Sequence, residues 1–495
     1  MKQINRIVIV GGGTSGWMAA AALSKKLSAD QFEVTLIESS RIGTIGVGEG
    51  STPYLKHFMD SLGLQESDWM ARCDASYKNG IYFDNWNGDN SRYFHPFYFS
   101  LDVKPAEIFF NCANARRRGV GPHINGDNFF VSGHLAQNNL SPVAHKKLPV
   151  QTEYGYHFDA AKLAGVLREF SVSHGVKHIR ADVVDVNQDD SGDIQSLTLD
   201  DYSGNDSELQ GDHFIDASGF NALLIGKTLQ VPFEPFGTEL LNDCAVTVST
   251  PRELSETLAT YTQSKAMSAG WMWRIPLTSR TGNGYVYSSQ YLSKEQAQSE
   301  LALALNLDPK IVSFRHISMK VGMRRKPWSR NVVAIGLSHG FIEPLEATAL
   351  MITQWSIEYF TRLLTQVETP IEQRQQKFNT EVTRLMLGVK EYIHGHYVTS
   401  QRCDSDYWCK ATSEQYLSPR LSALLAKWKS GADFDEFLHR HERDMAYFRP
   451  SWYALLAGMD YRDDTLVMPH QMLDLTLIEQ AKNYSGSLAK EYFHE

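Results

Sequence analysis

Residues 7–16 constrain this chain more than any other stretch. Ile7-Val8-Ile9-Val10 is a short, continuous, β-branched run suited to a buried parallel strand, and it runs directly into Gly11-Gly12-Gly13-Thr14-Ser15-Gly16. A segment with helical patterning, Trp17 to Leu27, follows. Strand, glycine turn and helix make a nucleotide-binding start: the glycines allow a tight turn and close approach of a pyrophosphate, which the helix N-terminus receives through free N–H groups and its positive dipole. Phe32 to Ile37 reads as the second strand and ends in Glu38, placed to bind ribose hydroxyls. A G-x-G-x-x-G between a strand and a helix, with an acid about twenty residues further on, is the strong form of this signal. The cofactor-binding candidates here are Gly11, Gly13, Thr14, Ser15, Gly16 and Glu38. The motif alone does not choose between flavin and nicotinamide dinucleotides, although its place at the N-terminus of a long chain leans towards FAD.

The chain has 495 residues, 42% of them hydrophobic, enough for a large core and more than one lobe. A formal charge of −9 without a long basic run argues against nucleic acid or an anionic membrane as the main partner. The five cysteines, Cys73, Cys112, Cys244, Cys403 and Cys409, are an odd number with no C-x-x-C, so neither a disulfide framework nor a zinc site is expected. The first residues imitate a signal peptide, with Lys2 and Arg6 before an apolar run, but the three glycines break the run too soon. No stretch has the roughly 20 apolar residues of a membrane span. A soluble, cytoplasmic protein is the expectation; the oligomeric state is left open.

Two later segments extend the first lobe. His213-Phe214-Ile215-Asp216-Ala217-Ser218-Gly219 is a short strand running into a turn, like the return segment of two-lobed flavoproteins, and makes Asp216 a further cofactor candidate. Asn331-Val332-Val333-Ala334-Ile335-Gly336 is another buried strand ending in glycine, with Gly336 expected near the flavin ring. Before them, in the region from about 90 to 210, Asp182 to Val186 and Ile194 to Leu199 read as strands of a meander, and from about 345 onward the patterning is mostly helical. The fold expected is α/β: an FAD-binding, Rossmann-like lobe of the two-dinucleotide-binding flavoprotein type, with a β-sheet insertion and a mostly helical C-terminal lobe. Residues 1–90 and 150–350 are assigned to the flavin lobe, 91–149 to a substrate-side insertion and 351–495 to the helical lobe. No second G-x-G-x-x-G follows a later strand, so a dedicated nicotinamide site is not visible and electrons are expected to arrive already on the flavin.

Gly270-Trp271-Met272-Trp273-Arg274-Ile275-Pro276 names a use for such a flavin. In a strand, residues two apart share a face, so Trp271 and Trp273 form one indole wall. The segment resembles the Trp-x-Trp-x-Ile-Pro signature of flavin-dependent halogenases, the tryptophan halogenase family, and the resemblance extends over most of the chain. Gly46-Val47-Gly48-Glu49-Gly50-Ser51-Thr52-Pro53 is similar to that family's loop near the flavin, which implies cofactor roles for Gly48, Glu49 and Ser51. Ser76 to Trp86 resembles the segment carrying the catalytic lysine, implying that role for Lys78. Gly340 to Ala349 resembles the segment with the catalytic glutamate, implying it for Glu346. On residues alone, Pro344 and Glu346 equally suit a helix N-terminus.

The same resemblance implies a halide site on the backbone of Thr348 and Ala349, where this chain has Ala347-Thr348-Ala349 in place of the family's usual Ser-Thr-Gly. It implies an aromatic substrate flanked by His95, Phe97 and Trp452, and an indole barrier, Trp271 and Trp273, between flavin and substrate. The activity implied is oxidation of chloride or bromide by FADH2 and O2, with FADH2 supplied by a separate flavin reductase, then transfer of electrophilic halogen through Lys78 to an indole-like or other electron-rich arene. Either an ammonium polarising the oxidant or a neutral amine forming a haloamine would serve. The rival readings are a flavin-dependent aromatic monooxygenase, which needs its substrate against the flavin, and a flavoprotein without turnover, which leaves Lys78 and Glu346 without a shared purpose.

Overall fold

The computed structural model describes residues 4–43, 48–202, 206–253 and 255–493. Lys2, Gly46 and Val47, named above, lie outside the described residues. Ile7, Val8 and Ile9 are fully buried in the strand Asn5–Val10, inside a six-stranded sheet. Its order is Trp328–Ser329, Val332–Ala334, His213–Asp216, Asn5–Val10, Phe32–Glu38, Lys177–Arg180. All neighbours pair in parallel except the Trp328–Ser329 edge, and Ile7 stands opposite His213 on one side and Val34 on the other. Strands buried on both faces need this unbroken apolar sequence. The helix Thr14–Lys26 packs against the helices Ala160–Ser173 and Ala349–Leu364. A second cluster joins Val8, Val10 and Phe214 to Leu197 and Leu199 of the meander Asp182–Gln188, Ile194–Asp200, Asp206–Gln210.

A seven-stranded sheet carries the indole wall. Its order is Arg315–Ser318, Cys244–Pro251, Arg280–Tyr287, Gly270–Pro276, Thr262–Met267, Gly80–Asp84, Arg92–Pro96. Only Thr262–Met267 with Gly80–Asp84 pairs in parallel. A small sheet of Glu49–Gly50, Gly155–Phe158 and Ser76–Lys78 holds the lysine segment against the flavin-side loop. Helices dominate from Ala349 to Tyr492, the longest being Ile371–Val398. Among the described residues no helix is long and apolar enough to cross a membrane.

The structure corrects one sequence expectation, that the cysteines form no disulfide, and adds two details. The boundary at residues 90 and 91 falls inside a hairpin, because Gly80–Asp84 pairs with Arg92–Pro96 and both complete the sheet of Trp271 and Trp273. Pro344 does not open a helix: residues 343–347 form a tight turn, in which Leu345 N–H donates to the Glu343 carbonyl and Ala347 N–H to that of Pro344, and the helix begins at Ala349. Cys403 and Cys409 form a disulfide, with Cα atoms 4.3 Å apart. Cys403 precedes the helix Asp406–Ala411 and Cys409 lies within it, a local geometry that cysteine spacing does not announce.

Candidate active site

The glycine loop opens onto a cavity of about 1070 Å³, whose wall includes Gly11, Gly13, Thr14, Ser15 and Glu38. Gly13 caps the helix Thr14–Lys26 without a side-chain hydrogen bond, so the first-turn N–H groups face this space unclaimed by any cap. Gly16 lies behind the wall, where an added Cβ would stand 1.9 Å from the Gly11 carbonyl oxygen; only glycine lets the helix meet the strand this closely. Glu38 lies over Gly12, with Oε2 3.0 Å from His178 Nε2. A glycine turn, an uncapped helix N-terminus and an acid at the end of the second strand, all on one large cavity, fit an FAD dinucleotide.

Gly48, Glu49 and Gly336 also line the cavity, and burial, reinforced by Asp159, pushes the Glu49 carboxyl up to about 7. Two other candidates face elsewhere. The Asp216 carboxylate is fully buried and accepts from the Ser218 hydroxyl and the N–H groups of Ser218, Leu224 and Ile225, so it braces the turn after its strand. Ser51 Oγ accepts from Tyr156 N–H and ties the loop to the small sheet.

Lys78 ends a strand whose partner is Gly155 and projects into the same cavity. It is 0% exposed, its Nζ finds no hydrogen-bond partner among the described residues, and it stands 5.4 Å from the centre of the Phe97 ring. A Cβ on Gly50 would come within 3.3 Å of Nζ, so the glycine keeps the amine's surroundings open. Burial lowers the Lys78 pKa to about 7, with Glu346 pulling the other way. Nearby His157 is held neutral by burial and by Lys78.

Glu346 sits in the turn before the helix Ala349–Leu364, between two histidines. His95 Nδ1 is 2.7 Å from Oε2 and His396 Nε2 is 2.9 Å from Oε1. Burial alone would raise this carboxyl, but the two imidazoles outweigh it and hold it at about 2. Tyr93 hydroxyl, 2.9 Å from His396 Nδ1, extends the chain of contacts. His396 was not among the sequence candidates. It lies in the buried C-terminal part of a long helix, Ile371–Val398, two residues after a second buried histidine, His394, and nothing in that local sequence announces a contact with Glu346.

Trp271 and Trp273 are both buried on the cavity wall, with ring centres 6.0 Å apart. Thr348 and Ala349 line it at the start of their helix, after Ala347 takes a left-handed φ of +57°. His95, Phe97 and Trp452 are buried, His95 against Glu346 and Phe97 beside Lys78, while Trp452 packs edge-on against Tyr392, ring centres 4.9 Å apart. One cavity thus has the dinucleotide loop, the two indoles and Lys78 on its wall, whereas Glu346, His95, Phe97 and Trp452 are not on it.

A sequence model of the tryptophan halogenase family matches residues 6–473. The chain belongs to that family. It is 36% identical over 475 residues to the 7-chloro-L-tryptophan 6-halogenase KtzR of Kutzneria sp. (strain 744), spanning 91% of this chain and 90% of KtzR. It is 31% identical over 487 residues to the tryptophan 7-halogenase RebH of Lentzea aerocolonigenes, spanning 92% and 90%. Among solved structures, the flavin-dependent halogenase BrvH from Brevundimonas sp. BAL3 superposes with a TM-score of 0.84 at 32% identity, covering 99% of this chain and 97% of BrvH. Tar14, a tryptophan C-6 flavin-dependent halogenase from taromycin biosynthesis, gives 0.87 at 32%, covering 99% and 97%. This halogenase is thus a flavin-dependent enzyme of a class that uses FAD and halide.

Proposed function

We propose that this halogenase takes FADH2 from a separate reductase, uses O2 to oxidise chloride or bromide, and halogenates an indole-like or other electron-rich aromatic substrate. Bound reduced flavin supplies the two electrons that, with O2, turn halide into an electrophilic oxidant. The loop Gly11–Ser15 would hold the dinucleotide phosphates, Glu38 the ribose, and the backbone N–H groups of Thr348 and Ala349 the halide, at a helix terminus that favours anions. The indoles of Trp271 and Trp273 would keep the arene away from the flavin, which disfavours direct oxygen transfer.

The observation that carries this reading is Lys78: a buried, unpartnered amine on the wall shared with the dinucleotide loop. With its pKa near 7, much of it is neutral at neutral pH and nucleophilic. Hypohalous acid would halogenate the amine with loss of water. The arene carbon would then take the halogen, the N–halogen bond would break with its electron pair left on nitrogen, and the proton lost as aromaticity returns would pass by way of Glu346, which His95 and His396 keep ionised, to that nitrogen, restoring the neutral amine. His95, Phe97 and Trp452 would flank the flat ring of the substrate. Relatives named for tryptophan support an indole nucleus.

Supplying flavin reductase, O2, bromide or chloride and an indole panel, then weighing the products, tests this. Halogen isotope patterns are expected. A gain of oxygen independent of halide would point to a monooxygenase, and no product at all to a flavoprotein without turnover. Lys78→Ala is expected to keep oxidising flavin while losing arene halogenation.

A further inference from the structure

Of the two indoles in the barrier, only one is tied. Trp271 Nε1 donates to Glu343 Oε2 at 2.7 Å. The same oxygen accepts from Asn242 Nδ2 at 2.8 Å and from the Tyr397 hydroxyl at 2.7 Å, while the Tyr407 hydroxyl donates to Asn242 Oδ1 at 3.0 Å. Glu343 is 0% exposed, and its Oε1 has no hydrogen-bond partner among the described residues. Trp273 Nε1 likewise has none; its ring is held by packing, where a Cβ on Gly284 would lie 2.2 Å from it.

Three donors converging on one buried oxygen fix that oxygen's place, and a directional N–H bond to it fixes the plane of the Trp271 ring in a way that packing alone does not. We propose that Glu343, through Oε2 and the Asn242–Tyr397–Tyr407 cluster, is a positioning residue that locks Trp271 and so sets the width of the cavity between the dinucleotide loop and Lys78, leaving Trp273 held by packing alone. This rests on the reading of the Trp271–Trp273 wall as the barrier that oxidised halogen must pass. It makes a distinction the tryptophan pair itself does not: the two rings have unequal duties. Burial also raises the Glu343 pKa, against the pull of its three donors. Because Oε1 has no partner, a glutamine with its oxygen in the Oε2 place keeps all three bonds and is the conservative replacement.

Two measurements test this on the full chain. In protein labelled with 5-fluorotryptophan, the Trp271 signal is assigned by its loss in Trp271→Phe. Glu343→Gln is expected to leave the signal single and in place, and Glu343→Leu to shift or split it. This readout needs no turnover, so it stands whether or not an arene is halogenated. In the second, halogenated product per FADH2 consumed is compared in a double-mutant cycle. Glu343→Leu is expected to lower this ratio about tenfold, the scale of one buried donor left unpaired, with Glu343→Gln near the parent. In the Trp271→Phe background Glu343→Leu is expected to add little. Should Glu343→Leu fail to fold, Tyr397→Phe, which removes one donor from Oε2, takes its place with a smaller expected effect. An unmoved Trp271 signal, or an equal loss of coupling with and without Trp271, would overturn the proposal.

Discussion

Lys78 and Glu346 are opposite outcomes of burial. Both are enclosed, but among the described residues the amine finds no hydrogen-bond partner, while the carboxylate is hydrogen-bonded with His95 and has His396 Nε2 2.9 Å from Oε1, so the amine is pushed towards neutrality and the carboxylate held in its charge. The unfolded pKa of Lys78 is 10.5 and the folded one about 7. Between these pH values the unfolded chain binds the extra proton, so this group makes stability rise with pH across that window and imposes its full cost below it. Lys78→Met should therefore be more stable than the parent in urea denaturation at pH 6.5, with the advantage shrinking at pH 9. If the neutral amine carries halogen, product per flavin oxidised should climb between pH 6 and 8; a fall over that range would favour the ammonium. Glu346→Gln, which removes the proposed proton acceptor, should lower kcat for arene halogenation by about 10²–10⁴-fold, read by product formation at saturating substrate.

At the level of elements, helix ends do much of the work. The helix Thr14–Lys26 presents uncapped N–H groups to the cavity, and the turn at Ala347 delivers the start of the helix Ala349–Leu364 to the same space. Both depend on close backbone approach. Gly16→Ala would drive a Cβ into the Gly11 carbonyl, so it should weaken FAD binding in a fluorescence titration and lower the Tm of the apoprotein, because rigid backbone cannot move aside as a side chain can. The strand Gly270–Pro276 shows what alternation accomplishes: residues 271 and 273 share one face, which is why two tryptophans in the sequence become one wall in the fold.

For the whole molecule, the cavity lies between the parallel sheet, the seven-stranded sheet and the first C-terminal helix, so FAD would join parts of the chain far apart in sequence. Added FAD should raise the Tm in a concentration-dependent way, by about 2.7 kcal/mol of stability at a hundredfold excess over its Kd, measured by scanning calorimetry. The sequence alone determined what local patterning can encode: the nucleotide turn from glycine spacing, its parallel strand from unbroken apolar residues, the indole wall from period two, and the lysine and glutamate segments through their family likeness. Only the tertiary structure decided which side chains meet. His396 reaches Glu346 from the helix Ile371–Val398, Glu343 reaches Trp271 across two elements, Asp216 turns inward to its own backbone, and Cys403 closes on Cys409. The physical reason is that propensity and periodicity act over a few residues, whereas burial, pairing and the shift of a pKa are set by neighbours that the packing of the entire core brings within reach.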